Sequence, residues 1–111
     1  MIIGTFILDF QTIDFQPDSK IAINMLNEYQ QACQLENQFA IDDPVPSAGW
    51  SFAKLFLAGQ FVEKLYAQHQ YEIDNSKGKK FEDKFITWFI RQLKNRGCSA
   101  QIKMAAEMKS I

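Results

Sequence analysis

The sequence is poor in the residues that usually carry chemistry. It has one histidine and two cysteines in 111 residues. Catalytic and metal sites built on imidazole usually need several, and the stretch "HQYEID" around His69, with Glu72 and Asp74, follows no metal-ligand spacing. At helical spacing His69 falls beside Val62 and Leu65, which reads as a packed histidine rather than a ligand. Two cysteines are too few for a secreted disulfide scaffold. Cys33 and Cys98 therefore read as reduced, buried thiols of a cytoplasmic protein, with a single bridge as the alternative. The serines have no second histidine to form a triad with. "DNSKGKK" lacks the glycine spacing of a phosphate loop, and Asp42 and Asp43 stand before Pro44 as turn residues do. These absences lead us to expect no catalytic residues, no cofactor and no metal.

A long hydrophobic run is also missing. "MIIGTFILDF" is apolar, but Asp9 interrupts it, no positive charge precedes it and no small-residue cleavage site follows. It reads as neither a signal peptide nor a membrane span. We expect one globular domain over residues 1–111, without a membrane partner.

What is present is apolar and aromatic. Hydrophobic residues make up 47% of the chain and charged residues 23%, with ten phenylalanines, so a real core is within reach. Phe6, Leu8 and Phe10 alternate, which predicts a strand over about residues 2–10, before Pro17 breaks the chain. Ala22, Met25, Leu26, Tyr29 and Cys33 recur at spacings of three and four, which predicts a helix over 19–38, capped by Asp18 or Ser19. The loop "IDDPVPSAG" leads to a second helix, over 48–70, with Ser47 as its cap. A third, over 79–96, presents Phe81, Phe85, Ile86, Trp88, Phe89, Ile90 and Leu93 on a wide arc and ends at Gly97. Such a helix should be the central element of the fold, or else part of an oligomer interface. Residues 98–110 read two ways. Cys98, Ala100, Ile102 and Met104 alternate as in a strand that would pair with the N-terminal one, while the composition favours a short helix, which we prefer. The resulting expectation is a mainly α fold, with α+β as the alternative: three or four helices and an N-terminal strand or extended arm.

Charge is unevenly laid out. Residues 77–111 carry nine basic and three acidic side chains, and residues 1–76 carry three basic and ten acidic ones. Lys80, Lys84, Arg91 and Lys94 share a stripe of the third helix, which could meet a phosphate backbone or an acidic partner. The plainer reading is a solvated face, since no nucleic-acid recognition motif accompanies the stripe. Wound as a helix, 48–70 puts Phe52 and Phe56 among polar residues, with Trp50 just upstream. Either the N-terminal strand or the final segment covers these rings, or they form a partner-binding patch. The function expected from these features is a non-catalytic protein-interaction module that regulates or inhibits a larger partner. In kind it would resemble an adaptor, an antitoxin or a phage inhibitor, and a homodimer is a further expectation. Nucleic-acid binding by the basic third ranks second, and an enzyme without a recognisable motif ranks third.

Overall fold

The structure, a computed structural model, describes residues 4–105. Along the chain come β1 (Phe6–Thr12), α1 (Phe15–Ala32), β2 (Phe39–Ile41), β3 (Val45–Ser47), β4 (Trp50–Leu57), α2 (Gly59–Gln68), α3 (Gln70–Asp74), α4 (Phe81–Asn95) and β5 (Gln101–Met104). The strands form one sheet in the order β2-β4-β1-β5, with β3 also paired to β4, and every pairing is antiparallel. Of the described residues 47% are helical and 25% are in strands. This corrects the expectation of a mainly α bundle: the protein is α+β, with its helices against one face of a five-stranded antiparallel sheet. No helix among the described residues is long and apolar enough to cross a membrane.

The centre of the sheet is the pair β1–β4. Its register sets Phe6 opposite Leu57, Leu8 opposite Leu55 and Phe10 opposite Ala53. All six are buried and all lie on one face, because side chains alternate along a strand. The expected alternation of Phe6, Leu8 and Phe10 is therefore present, in a strand that runs on to Thr12. Residues 2 and 3 of the expected strand lie outside the described residues.

The expected helix over 48–70 is two elements. Its first part is β4, and a helix begins only at Gly59. In "SFAKLFLAGQF" apolar residues recur at both helical and strand spacing, and Ala, Lys and Leu favour helix on propensity alone. Pairing with β1 decides the matter. Wound as one helix, 48–70 would put Leu55, Leu57, Ala58, Phe61, Val62, Leu65 and Tyr66 on one apolar arc; all are buried except Ala58 and Tyr66, which are half-buried, but they lie on a strand and a helix in succession. Ser47 does not cap a helix. It pairs with Trp50 across a two-residue turn, in which Ala48 and Gly49 have φ of 52° and 85°. Positive φ at both positions matches a type I′ hairpin turn.

The C-terminal segment is a strand, not the helix we preferred. Gln101–Met104 pairs with β1, while Cys98, Ala100 and Ile102 are buried and Met104 is half-buried. Residues 106–110 of that expected helix lie outside the described residues. Helix α1 starts earlier than expected. Pro17 sits in its first turn, where a backbone N–H has no intrahelical partner to lose, so it does not break the chain.

Asp14, not Asp18 or Ser19, is the N-cap position of α1. Asp18 is only 3% exposed and has a different task. Its carboxylate accepts hydrogen bonds from the Thr12 hydroxyl, from the Ser99 backbone N–H at 3.0 Å and from the Ser99 hydroxyl at 2.9 Å. One carboxylate thus ties the end of β1 and the start of α1 to the segment leading into β5. Burial pushes its pKa upward, but the hydrogen bonds from Thr12 and Ser99 outweigh this and hold it below the usual carboxylate value.

Helix α4 is the central helix that its sequence predicts. Phe85, Ile86, Trp88, Phe89 and Leu93 are buried, and Phe81 and Ile90 pack against the core. Phe85 meets Phe6 edge-on at 5.4 Å between ring centroids, which docks the helix on the sheet. At its end the Gly97 N–H bonds the Lys94 carbonyl and the Cys98 N–H bonds the Leu93 carbonyl, both around Gly97 at φ 87°. That is a Schellman stop, which needs the left-handed conformation glycine takes most easily.

Two outcomes are expected from this core. Phe85→Ala should lower unfolding free energy by about 3–5 kcal/mol, measured by chemical denaturation; a loss below about 1 kcal/mol would contradict its place in the core. Asp18→Asn should cost about 1–3 kcal/mol. Because the folded carboxyl titrates below its unfolded value of 3.8, its contribution is complete above that pH and fades as pH falls through the lower folded value. Acid unfolding of the wild type should therefore steepen below about pH 4, and the variant should lose that part of the slope.

Candidate functional site

The three longer helices all bury their apolar sides against the face of the sheet that carries Phe6, Leu8 and Phe10. The residues between those on β1 and β4 point the other way. Register pairs Ile7 with Phe56, Asp9 with Lys54 and Gln11 with Phe52. On β5, Lys103 stands opposite Asp9 and Gln101 opposite Gln11. No described element covers this second face. Its side chains are half-buried or exposed, and Phe52 is 37% exposed. Ile7, Trp50, Phe52 and Phe56 all stand outside the core cluster.

Phe52 and Phe56 are thus on a wet side, as the helical wheel suggests, but for a different reason. Residues four apart share a side in a helix and also in a strand. Trp50, two residues before Phe52, joins the same row only because β4 is extended. The row from Trp50 to Phe56 spans about 20 Å. In its middle the Lys54 Nζ pairs with Asp9 Oδ1 at 2.7 Å. This charge pair separates two shallow grooves. The larger, of about 300 Å³, lies beside Phe52 and is bounded by Asp42, Asp43 and Val45. The smaller, of about 210 Å³, lies beside Phe56 and Ala40.

Asp42 and Asp43 do more than turn the chain. β2 and β3 both pair along the outer edge of β4, but with registers one residue apart. The three residues Asp42, Asp43 and Pro44 oppose only Ala53 and Lys54, which is a β-bulge in the edge strand. Asp42 holds the bulge to β4: its N–H bonds the Lys54 carbonyl at 3.0 Å, and its Oδ1 accepts the Lys54 N–H at 2.6 Å. Pro44 has no N–H with which to continue the ladder. Sequence reasoning passed over these two acids as ordinary turn formers, and Asp-Asp-Pro alone gives no signal that they border a groove.

The basic stripe lies elsewhere. Lys80, Arg91 and Lys94 are exposed and Lys84 is half-buried, on the side of α4 about half a turn from Phe85. Because Phe85 faces the sheet, the stripe lies on the outer surface of the helical layer. The structure does not bring it together with Trp50, Phe52 and Phe56.

His69 lies between α2 and α3, half-buried, with its ring 4.9 Å from that of Trp88 and 5.8 Å from that of Tyr29. Trp88 donates to Glu72 Oε1 at 2.9 Å, and Arg96 lies over the Tyr29 ring at 5.5 Å. Among the described residues no group of three or more His, Cys, Asp or Glu is arranged to hold a metal ion. Cys33 and Cys98 are free and buried. Burial raises both thiol pKa values, that of Cys98 to about 11. A neutral thiol is a poor nucleophile. A water-soluble thiol reagent at neutral pH should therefore label both cysteines slowly in the folded protein and rapidly in denaturant; fast labelling of the folded state would show that either site opens.

Compared with protein-family models, curated proteins and solved structures, the chain matches none of them.

Proposed function

We propose that this protein is a non-catalytic interaction module of the cytoplasm that regulates or inhibits a larger protein, and that the open face of the sheet is the surface it presents. The observation that carries this reading is the row Trp50, Phe52 and Phe56, standing outside the core on a face that no described element covers. Aromatic rings are the usual energetic centre of protein interfaces. The strand alternation fixes the face the rings stand on, and an aromatic ring has only two side-chain torsions to order when it meets a partner.

A platform of rings also suits the bases of single-stranded nucleic acid. The charges argue against that occupant here. Asp9, Asp42 and Asp43 lie on or beside this face, and carboxylates repel phosphate. The two cations on this face, Lys54 and Lys103, both stand opposite Asp9 in register, and the larger basic stripe is on the outer surface of the helical layer. Nucleic-acid binding remains the second reading, through Lys80, Lys84, Arg91 and Lys94 on the helical layer, since these share one accessible stripe.

Two double variants separate the readings. Phe52→Thr with Phe56→Thr keeps β-branched residues on the strand and removes both rings. Its unfolding free energy should fall by about 1 kcal/mol or less, well short of the cost expected for Phe85→Ala. Affinity capture from the native host, followed by reconstitution with the purified partner, should show binding by the wild type and by Lys84→Glu with Arg91→Glu. It should show none by the ring variant. Sub-micromolar oligonucleotide binding at physiological salt, abolished by the lysine and arginine changes, would instead establish the second reading.

A further inference from the structure

We infer that the groove beside Phe52 seats an arginine side chain of the protein partner; the inference rests on the open-face reading above and specifies what that face takes. Three features of the groove converge on a guanidinium. The first is charge. Asp9, Asp42 and Asp43 line it against the single cation Lys54, whose ammonium already lies 2.7 Å from Asp9. Asp43 is exposed and has no hydrogen-bond or ion-pair partner among the described residues. Lys103, opposite Asp9 on β5, stands on the far side of Asp9 from the bulge, so among the described residues Asp42 and Asp43 leave the outer rim negative.

The second feature is the exposed Phe52 ring beside those carboxylates. A guanidinium is planar, weakly hydrated and able to stack on a ring face while its N–H fork reaches carboxylate oxygens. An ammonium brings a charge but neither the plane nor the fork. Gln11, opposite Phe52 on β1, adds an amide oxygen to the same wall. Val45 gives the groove an apolar edge, against which the methylene stem of an arginine can lie.

The third feature is construction. The acids sit on a β-bulge, a device that re-aims side chains at a sheet edge. Two hydrogen bonds hold Asp42 to β4, so the rim is fixed relative to the ring. The volume, about 300 Å³, is enough for one long side chain. A phosphate-bearing ligand would meet the rim acids, which repel it.

The test is selection of short random peptides displayed on phage against the intact protein, followed by titration of the selected peptides as synthetic compounds. Peptides sharing an arginine beside an apolar residue are expected. Replacing that arginine by citrulline, which keeps the shape and removes the charge, should weaken binding about tenfold or more. Asp42→Asn with Asp43→Asn should have a similar effect. Asparagine keeps the acceptor that Asp42 offers to Lys54, so the bulge should survive, and unchanged thermal unfolding checks that it does. If the double variant melts early, Asp43→Asn alone carries the test, because its side chain makes no hydrogen bond or ion pair among the described residues.

Selected peptides without arginine that still depend on Phe52 and Phe56 would overturn the inference and leave the open-face reading standing. Peptides indifferent to the rings and to the acids, or no selection at all, would overturn both. Self-association abolished by Asp43→Asn would place a second copy of the chain in the groove, and would likewise overturn it.

Discussion

The pairing of β1 with β4 is the constraint from which the rest of this structure follows. Seven residue pairs are in register, and their alternation sorts every side chain of both strands to one face or the other. Shifting the pairing by one residue with β4 held in place would turn Leu8 and Phe10 toward water and bring Asp9 inside. Burial of the apolar set beneath three helices therefore fixes the register. The same register places Ile7, Phe52 and Phe56 outside. Core and candidate interface are the two sides of a single periodicity.

Other interactions lock this layer arrangement rather than create it. Asp18 connects α1, the end of β1 and the approach to β5 through one buried carboxylate, whose hydrogen bonds outweigh the cost of its desolvation. The aromatic chain Phe6–Phe85–Trp88–Tyr29 runs from the sheet through α4 to α1. With the helices committed to one face, no element among the described residues covers the other. Its apolar rings are spaced by the charge pair of Lys54 and Asp9, which breaks up the exposed apolar area.

Charge follows the layers as well. Acids collect at the bulged edge beside Phe52, and the stripe of lysines and arginine faces outward from α4. The imbalance between the two halves of the sequence becomes a separation in space, so one surface offers rings with carboxylates and another offers cations. Under the function proposed, the first surface sets the identity of the partner. The second affects the approach of charged molecules over a distance of about 10 Å at ordinary ionic strength.

The sequence by itself determined the central helix, its glycine stop, the alternation of β1 and the burial of Met25, Leu26, Phe61, Leu65 and Cys33. Each of these depends on local periodicity or a single residue type, and local signals survive any tertiary arrangement. It also put Phe52 and Phe56 together on one side, because a spacing of four is common to helix and strand. Tertiary structure alone decided that residues 50–57 are extended and that 101–104 form a strand, since both choices turn on hydrogen bonds to β1, distant in sequence. It alone gave Asp18 its partners at Ser99 and set Asp42 and Asp43 beside Phe52. Those juxtapositions join residues that no window of sequence contains, and they arise only when a buried face must find its complement.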